Sequence, residues 1–219
     1  MEPTNYEGYL APDAEQRADE AAYDGFMRQD DFESFLGLLN EAARGVGRKY
    51  FHYPNAVDYS DEHELVTQLV YRERVYCYEL YHKLRLAMER RKVFHTRMYL
   101  NAEVDKAGTK YAENIGRLKP DFVLHRPGEG AHNIAVVEVK AASAPLESVK
   151  EDFRKVKTFL QELNYFGGVS LIYGTDDNME DIANACRQQF GTFWPPRFRL
   201  LWQPQPRQEL KQLPIAVHA

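Results

Sequence analysis

Apolar residues recur three or four positions apart from Phe26 to Ala43, at Phe32, Phe35, Leu36, Leu39 and Ala43, which is the spacing of one helical face. Gly45 and Gly47 are placed to end that helix. The segment Tyr53-Pro54-Asn55 reads as a loop leading to Ser60, an N-capping residue, and the chain from Asp61 to about Arg90 reads as one long helix. Its apolar stripe is Leu65, Val66, Leu69, Val70, Tyr76, Cys77, Leu80, Leu84 and Met88. From Lys92 the period shortens to two: Met98, Leu100, Ala102 and Val104 alternate with Asn101, Glu103 and Asp105, as on a strand.

Leu118–His125 and Ile134–Ala141 are two further strands, and Arg126-Pro127-Gly128-Glu129-Gly130 between them has the chemistry of a tight turn, so they form a β-hairpin. A helix follows, with Pro145 in its first turn and Leu146, Val149, Phe153, Val156, Leu160 and Leu163 as its stripe; Gly167-Gly168 is read as its stop. Val169–Tyr173 is a short buried strand, Met179–Phe190 a helix facing inward through Ile182, Cys186 and Phe190, and Phe198–Trp202 a last strand. The order helix, helix, three strands, helix, strand, helix, strand gives an α/β or α+β domain with one central mixed sheet flanked by helices, and α/β is the expected class.

Composition divides the 219 residues further. Residues 1–34 hold ten acids against Arg17 and Arg28, so the net charge of −5 is carried by the N-terminal stretch and the remainder is mildly basic. Residues 1–24 therefore read as an acidic, mobile arm, 25–202 as a single domain, and 203–219 as a Pro/Gln-rich tail, surface-bound or mobile, with no internal repeat. Two cysteines, Cys77 and Cys186, are too few for a disulfide framework, and no stretch has the length of a membrane span or the order of a signal peptide. A cytoplasmic protein without a membrane partner is expected. Between Tyr81 and Arg97, Lys83, Arg85, Arg90, Arg91, Lys92 and Arg97 face only Glu89, with His82 and His95 interspersed. That run reads either as a phosphate-tracking surface or as a solvated helix face.

The hairpin carries the chemistry. Pro120-Asp121 lies on its first strand and Glu138-Val139-Lys140 on its second, where alternation points Glu138 and Lys140 one way and Val137 and Val139 into the core. Symmetrical pairing about Glu129 brings Asp121 opposite Glu138 within about one residue, at a Cβ separation of roughly 5 Å. Two acids so close repel unless a cation lies between them, and an oxygen-only site suits Mg²⁺ or Mn²⁺. The alternative is a surface hairpin with a Glu138/Lys140 salt bridge.

These residues resemble the PD-(D/E)XK nuclease superfamily, and the resemblance covers roughly 61–174. It implies a restriction-endonuclease-like core of helix, three-strand meander, helix and strand. It also implies that Asp121 and Glu138 hold Mg²⁺ while Lys140 orients or activates the attacking water, with in-line attack leaving a 5′-phosphate. Members add an acid from the helix before the sheet. Glu73, at the centre of the apolar stripe, is the candidate, balanced by a shared metal or by Lys140; Arg72, Arg74 or a tyrosine hydroxyl are the other partners considered. Glu79 and Glu64 lie off the stripe and rank lower. In the recB-like branch a Gln-x-x-x-Tyr element follows on the next helix, and Gln161 with Tyr165 fits it. Lys150, Arg154 and Lys157 on that helix form a basic ridge, or a face paired with Glu147 or Glu151. His125 shares the strand face of Asp121 and is a candidate for the rim of the site. No zincin helix, P-loop or nucleophile elbow is present in the sequence.

The expected activity is that of a Mg²⁺- or Mn²⁺-dependent DNA endonuclease or exonuclease, with Asp121, Glu138, Lys140 and Glu73 at its site and DNA favoured over RNA. Cutting of both strands would suit a homodimer. The competing expectations are a nucleic-acid-binding or scaffolding module without chemistry, and a nuclease subunit active only within a larger defence or repair assembly.

Overall fold

The computed structural model describes residues 26–59, 65–92, 98–102, 118–126, 132–175, 178–190 and 197–214. The acidic arm, Ser60, Asp61, Glu64, His95, Arg97, Glu103, Asp105 and most of the hairpin turn lie outside them. In chain order the elements are α1 (Phe26–Gly45), α2 (Arg48–Phe51), β1 (Tyr53–Tyr59), β2 (Leu65–Val70), α3 (Glu73–Arg91), β3 (Tyr99–Ala102), β4 (Phe122–His125), β5 (Asn133–Ala141), α4 (Leu146–Gln161), β6 (Gly167–Tyr173), α5 (Met179–Phe190), β7 (Phe198–Gln203) and β8 (Lys211–Gln212).

Six strands form one mixed sheet in the order β3-β4-β5-β6-β7-β8. The β3/β4, β4/β5 and β7/β8 pairs are antiparallel, while β5/β6 and β6/β7 are parallel and bridged by α4 and α5. Parallel inner strands need cover on both faces. Here α1 and α3 pack together over one face with Val137, Val139, Leu171 and Tyr173, and α4 and α5 cover the other with Val136, Ile172 and Leu200. The expected α/β class with a helix-flanked mixed sheet is what the chain adopts. Among the described residues no helix is long and apolar enough to cross a membrane.

Several expectations need correction. The long helix expected over 61–90 does not extend over 65–72: Leu65–Val70 is a strand, paired antiparallel with Tyr53–Tyr59 where a loop was expected, and α3 begins only at Glu73. The apolar pairs Leu65-Val66 and Leu69-Val70 fit a helix period equally well, and a partner strand decided between the two. The first strand of the central hairpin runs only from Phe122, because Pro120 has no N–H to give the ladder.

Gly167-Gly168 does not stop α4, which ends at Gln161; both glycines open β6. They are there for contact. A Cβ on Gly167 would lie 2.2 Å from the Phe32 ring of α1, and one on Gly168 would lie 2.5 Å from Val156 of α4.

The tail beginning at Gln203 is built into the fold as far as it is described. Gln203 ends β7 with its side chain fully buried, donating from Nε2 to Ala43 O (2.7 Å) and Gln208 O (2.9 Å) and accepting the Tyr76 hydroxyl on Oε1 (2.6 Å). Beyond it Arg207 N donates to Val46 O and Leu210 N to Asn40 Oδ1, and Lys211-Gln212 pairs with Leu201-Trp202 as the sheet edge. A Pro/Gln-rich composition hid an amide that satisfies three groups at once.

Candidate active site

Asp121 sits one residue before β4. The observed pairs Phe122↔Val137 and Val123↔Val136 continue, one step out, to Asp121 opposite Glu138, as the turn arithmetic requires. Where the ladder stops at Pro120, the Asp121 carboxylate replaces it: Oδ2 accepts the Val139 N–H at 2.7 Å. Sequence and backbone thus fix the Asp121 side chain against the Glu138-Val139-Lys140 segment.

On β5, Glu138 and Lys140 follow Val136 on the face that α4 covers. The Glu138/Lys140 salt bridge of the alternative, surface-hairpin reading is not the pairing made. Glu138, 2% exposed, instead meets Lys155 of α4, whose Nζ is 2.7 Å from Oε2. Lys140 Nζ lies 3.1 Å from Asp152 Oδ2 and 3.1 Å from Glu73 Oε2, and Lys155 is also 2.8 Å from Asp152 Oδ1. Glu73 therefore has Lys140 as its partner, as one of the expectations held, although it reaches it from the first turn of α3 and not from mid-helix.

Asp152 and Lys155 were not anticipated. A signal for Asp152 existed: it lies three residues after Val149 and four before Val156, on the apolar stripe, where an acid needs a partner. Lys155 is one helical turn further and had no such mark.

The other candidates fall elsewhere. His125 is four residues up β4 from Asp121, about 13 Å along a strand, with Nε2 3.0 Å from Asn101 Oδ1. Gln161 is exposed at the end of α4, about 9 Å of helix beyond Lys155, and Tyr165 is buried against Phe159. Glu79 pairs with Lys83. Lys150 and Arg154 both pair with Glu147, and Lys157 donates to Gln189 O, so this ridge is a paired face. Arg85 pairs with Glu89, and Arg90 and Arg91 with Glu41 of α1.

Four carboxylates and two ammoniums leave the cluster with two negative charges. The acids register that imbalance. Burial, with the charge of Glu73 adding to it and the Val139 N–H bond opposing it, raises Asp121 from 3.8 to about 6. Burial, then the charges of Asp121 and Asp152, push Glu138 well above the usual carboxylate range against the pull of Lys155. Burial works against the charge on Lys140, but Asp152 and Glu73 outweigh it and its pKa rises; Lys155 is raised in the same way by Glu138 and Asp152. Both lysines stay protonated at neutral pH. Cys77 packs beside the cluster, and burial together with Asp121, Glu73 and Glu138 raises its thiol pKa, which disfavours the thiolate.

A divalent cation offsets the same two charges that protons otherwise must. Among the described residues, buried Glu138 Oε1 has no hydrogen-bond partner and Asp121 Oδ1 has no protein partner, so each acid keeps one oxygen to offer. Among the described residues no three donors converge as a metal cluster. Two carboxylates, with water and substrate oxygens completing the shell, is an ordinary way to hold Mg²⁺. The donor set therefore fits the ion.

The Asp121 shift makes a prediction for the metal-free protein. A carboxyl whose folded pKa is raised adds stability below its unfolded pKa near 3.8, and that contribution is lost as pH rises through about 6. Urea unfolding in EDTA, compared with Asp121→Asn, should show the wild type losing about 2 kcal/mol relative to the variant between about pH 4 and 7. A constant difference would mean that Asp121 ionises as an ordinary carboxylate. Comparison of the chain with protein-family models and with curated proteins finds no match to either.

Proposed function

We propose that this chain is a metal-dependent nuclease of the PD-(D/E)XK type that hydrolyses DNA phosphodiester bonds. The observation that carries the reading is the charge arrangement on the hairpin. Asp121 and Glu138 lie opposite one another across the β4/β5 hairpin with one oxygen each to spare among the described residues, beside a Lys140 ammonium fixed from two sides. The sequence of α3, the meander β3-β4-β5, α4 and β6 supports a restriction-endonuclease-like core.

Asp121 and Glu138 would hold Mg²⁺ or Mn²⁺, which when bound lowers the pKa of a coordinated water and offsets charge on the phosphate. Lys140, kept protonated by Glu73 and Asp152, is suited to donating hydrogen bonds and not to removing a proton. Its ammonium would orient the attacking water and stabilise the negative charge that grows on the phosphate oxygens in the transition state. Glu73 acts through Lys140, holding its Nζ at the site.

The test is cleavage of supercoiled plasmid, end-labelled linear duplex and single-stranded DNA with Mg²⁺, Mn²⁺ or EDTA. Cutting with either metal and none in EDTA is expected. DNA binding without cutting in any metal would leave a non-catalytic nucleic-acid module in its place.

A further inference from the structure

Lys155 is the second ammonium of the cluster, and the chemistry proposed above makes no use of it. It projects from α4 toward β5, where its Nζ meets Glu138 Oε2 at 2.7 Å and Asp152 Oδ1 at 2.8 Å. Asp152, 4% exposed in its side chain, takes the other lysine on its second oxygen, so that one buried carboxylate fixes both ammoniums. Without Lys155, Glu138 would share a buried space with Asp121 and Asp152 and have no cation in contact. A unit positive charge at that place does two things. It occupies one oxygen of Glu138 and leaves Oε1, and it repels any further cation drawn to the same carboxylate.

We propose that Lys155 is a resident counter-ion that restricts Glu138 to one metal-binding oxygen and sets the divalent-cation affinity of the centre, with Asp152 as the residue that positions both lysines. This rests on reading the centre as a metal site. The sign of the effect separates it from a structural role: damage to the fold can only weaken metal binding, whereas removal of a resident positive charge strengthens it. Even screened as in bulk water, one charge within a few ångströms of a divalent ion changes its affinity by about ten-fold.

The experiment is titration of the full chain with Mn²⁺ at about pH 7.5, without nucleic acid, following free Mn²⁺ by electron paramagnetic resonance. Lys155→Met and Lys155→Gln are each expected to bind about ten-fold tighter than the wild type, Lys155→Arg within about threefold of it, and Asp152→Asn about ten-fold more weakly. Neutral variants that both bind no tighter than the wild type overturn the proposal while leaving the metal centre standing. A wild-type chain that takes up no Mn²⁺ at millimolar concentration overturns the metal-site reading, and this proposal with it.

Discussion

Lys140→Ala is expected to slow DNA cleavage by about 10³-fold while leaving DNA affinity within about threefold of the wild type. The size follows from what the side chain does. Removing one preorganised donor aimed at developing charge typically costs 10²- to 10³-fold, and Lys140 carries a full charge in a partly buried site, which places it at the upper end. The loss should fall on kcat, because the interaction strengthens only as charge grows on the phosphate. Glu73→Gln makes the internal comparison. It removes one of the two carboxylates on Nζ and leaves Asp152 in place, so about ten-fold is expected. Single-turnover cleavage of labelled duplex beside a binding titration reads both. Equal cleavage by Lys140→Ala and the wild type would sink the assignment of Lys140, and an effect of Glu73→Gln larger than that of Lys140→Ala would mean that Glu73 acts directly.

The part of this site that depends on strand geometry was legible in the sequence. A period of two and a turn centred near Glu129 placed Asp121 against Glu138, and the register continues to that pair. The part contributed by helices was legible only where an acid interrupts an apolar stripe. By that criterion Glu73 was found, yet the helix expected around it does not extend over 65–72, because Leu65–Val70 pairs with a strand that local pattern could not reveal. Its link to Lys140 survives because position 73 opens the true helix, which packs against β5. Asp152 meets the same criterion, an acid on the apolar stripe of α4 between Val149 and Val156.

The burial of Gln203, in a tail that lies mostly on the surface as read, and the role of the glycines of β6 were hidden for a different reason. Composition treats Gln and Pro as markers of exposed chain and Gly as a helix stop, but here an amide bridges three elements and two glycines make room for side chains. What the residues touch is a tertiary fact, and only the packed structure supplies it.

The glycines also carry the largest expected effect on stability, and it is separable from the site. Gly167→Ala should destabilise the protein by about 3 kcal/mol. The added methyl would sit 2.2 to 2.4 Å from three atoms of the Phe32 ring, closer than any real contact, and that ring cannot swing away. It is buried, edge-on to Phe166 at 6.1 Å and beneath the Arg199 guanidinium at 5.9 Å, which is itself bonded to Glu33. Either α1 moves off the sheet or β6 gives up its pairing with Ala135. Because the clash lies on the α1 face while Asp121, Glu138, Lys140 and Asp152 gather on the α4 face, folded Gly167→Ala should retain cleavage well below its unfolding temperature. Urea unfolding measures the loss, and Phe32→Leu tests its cause. Each change alone is destabilising, but the pair should cost at least about 1 kcal/mol less than their sum, since the smaller side chain frees the space that the methyl needs. Simple additivity would place the strain somewhere other than the contact between β6 and α1.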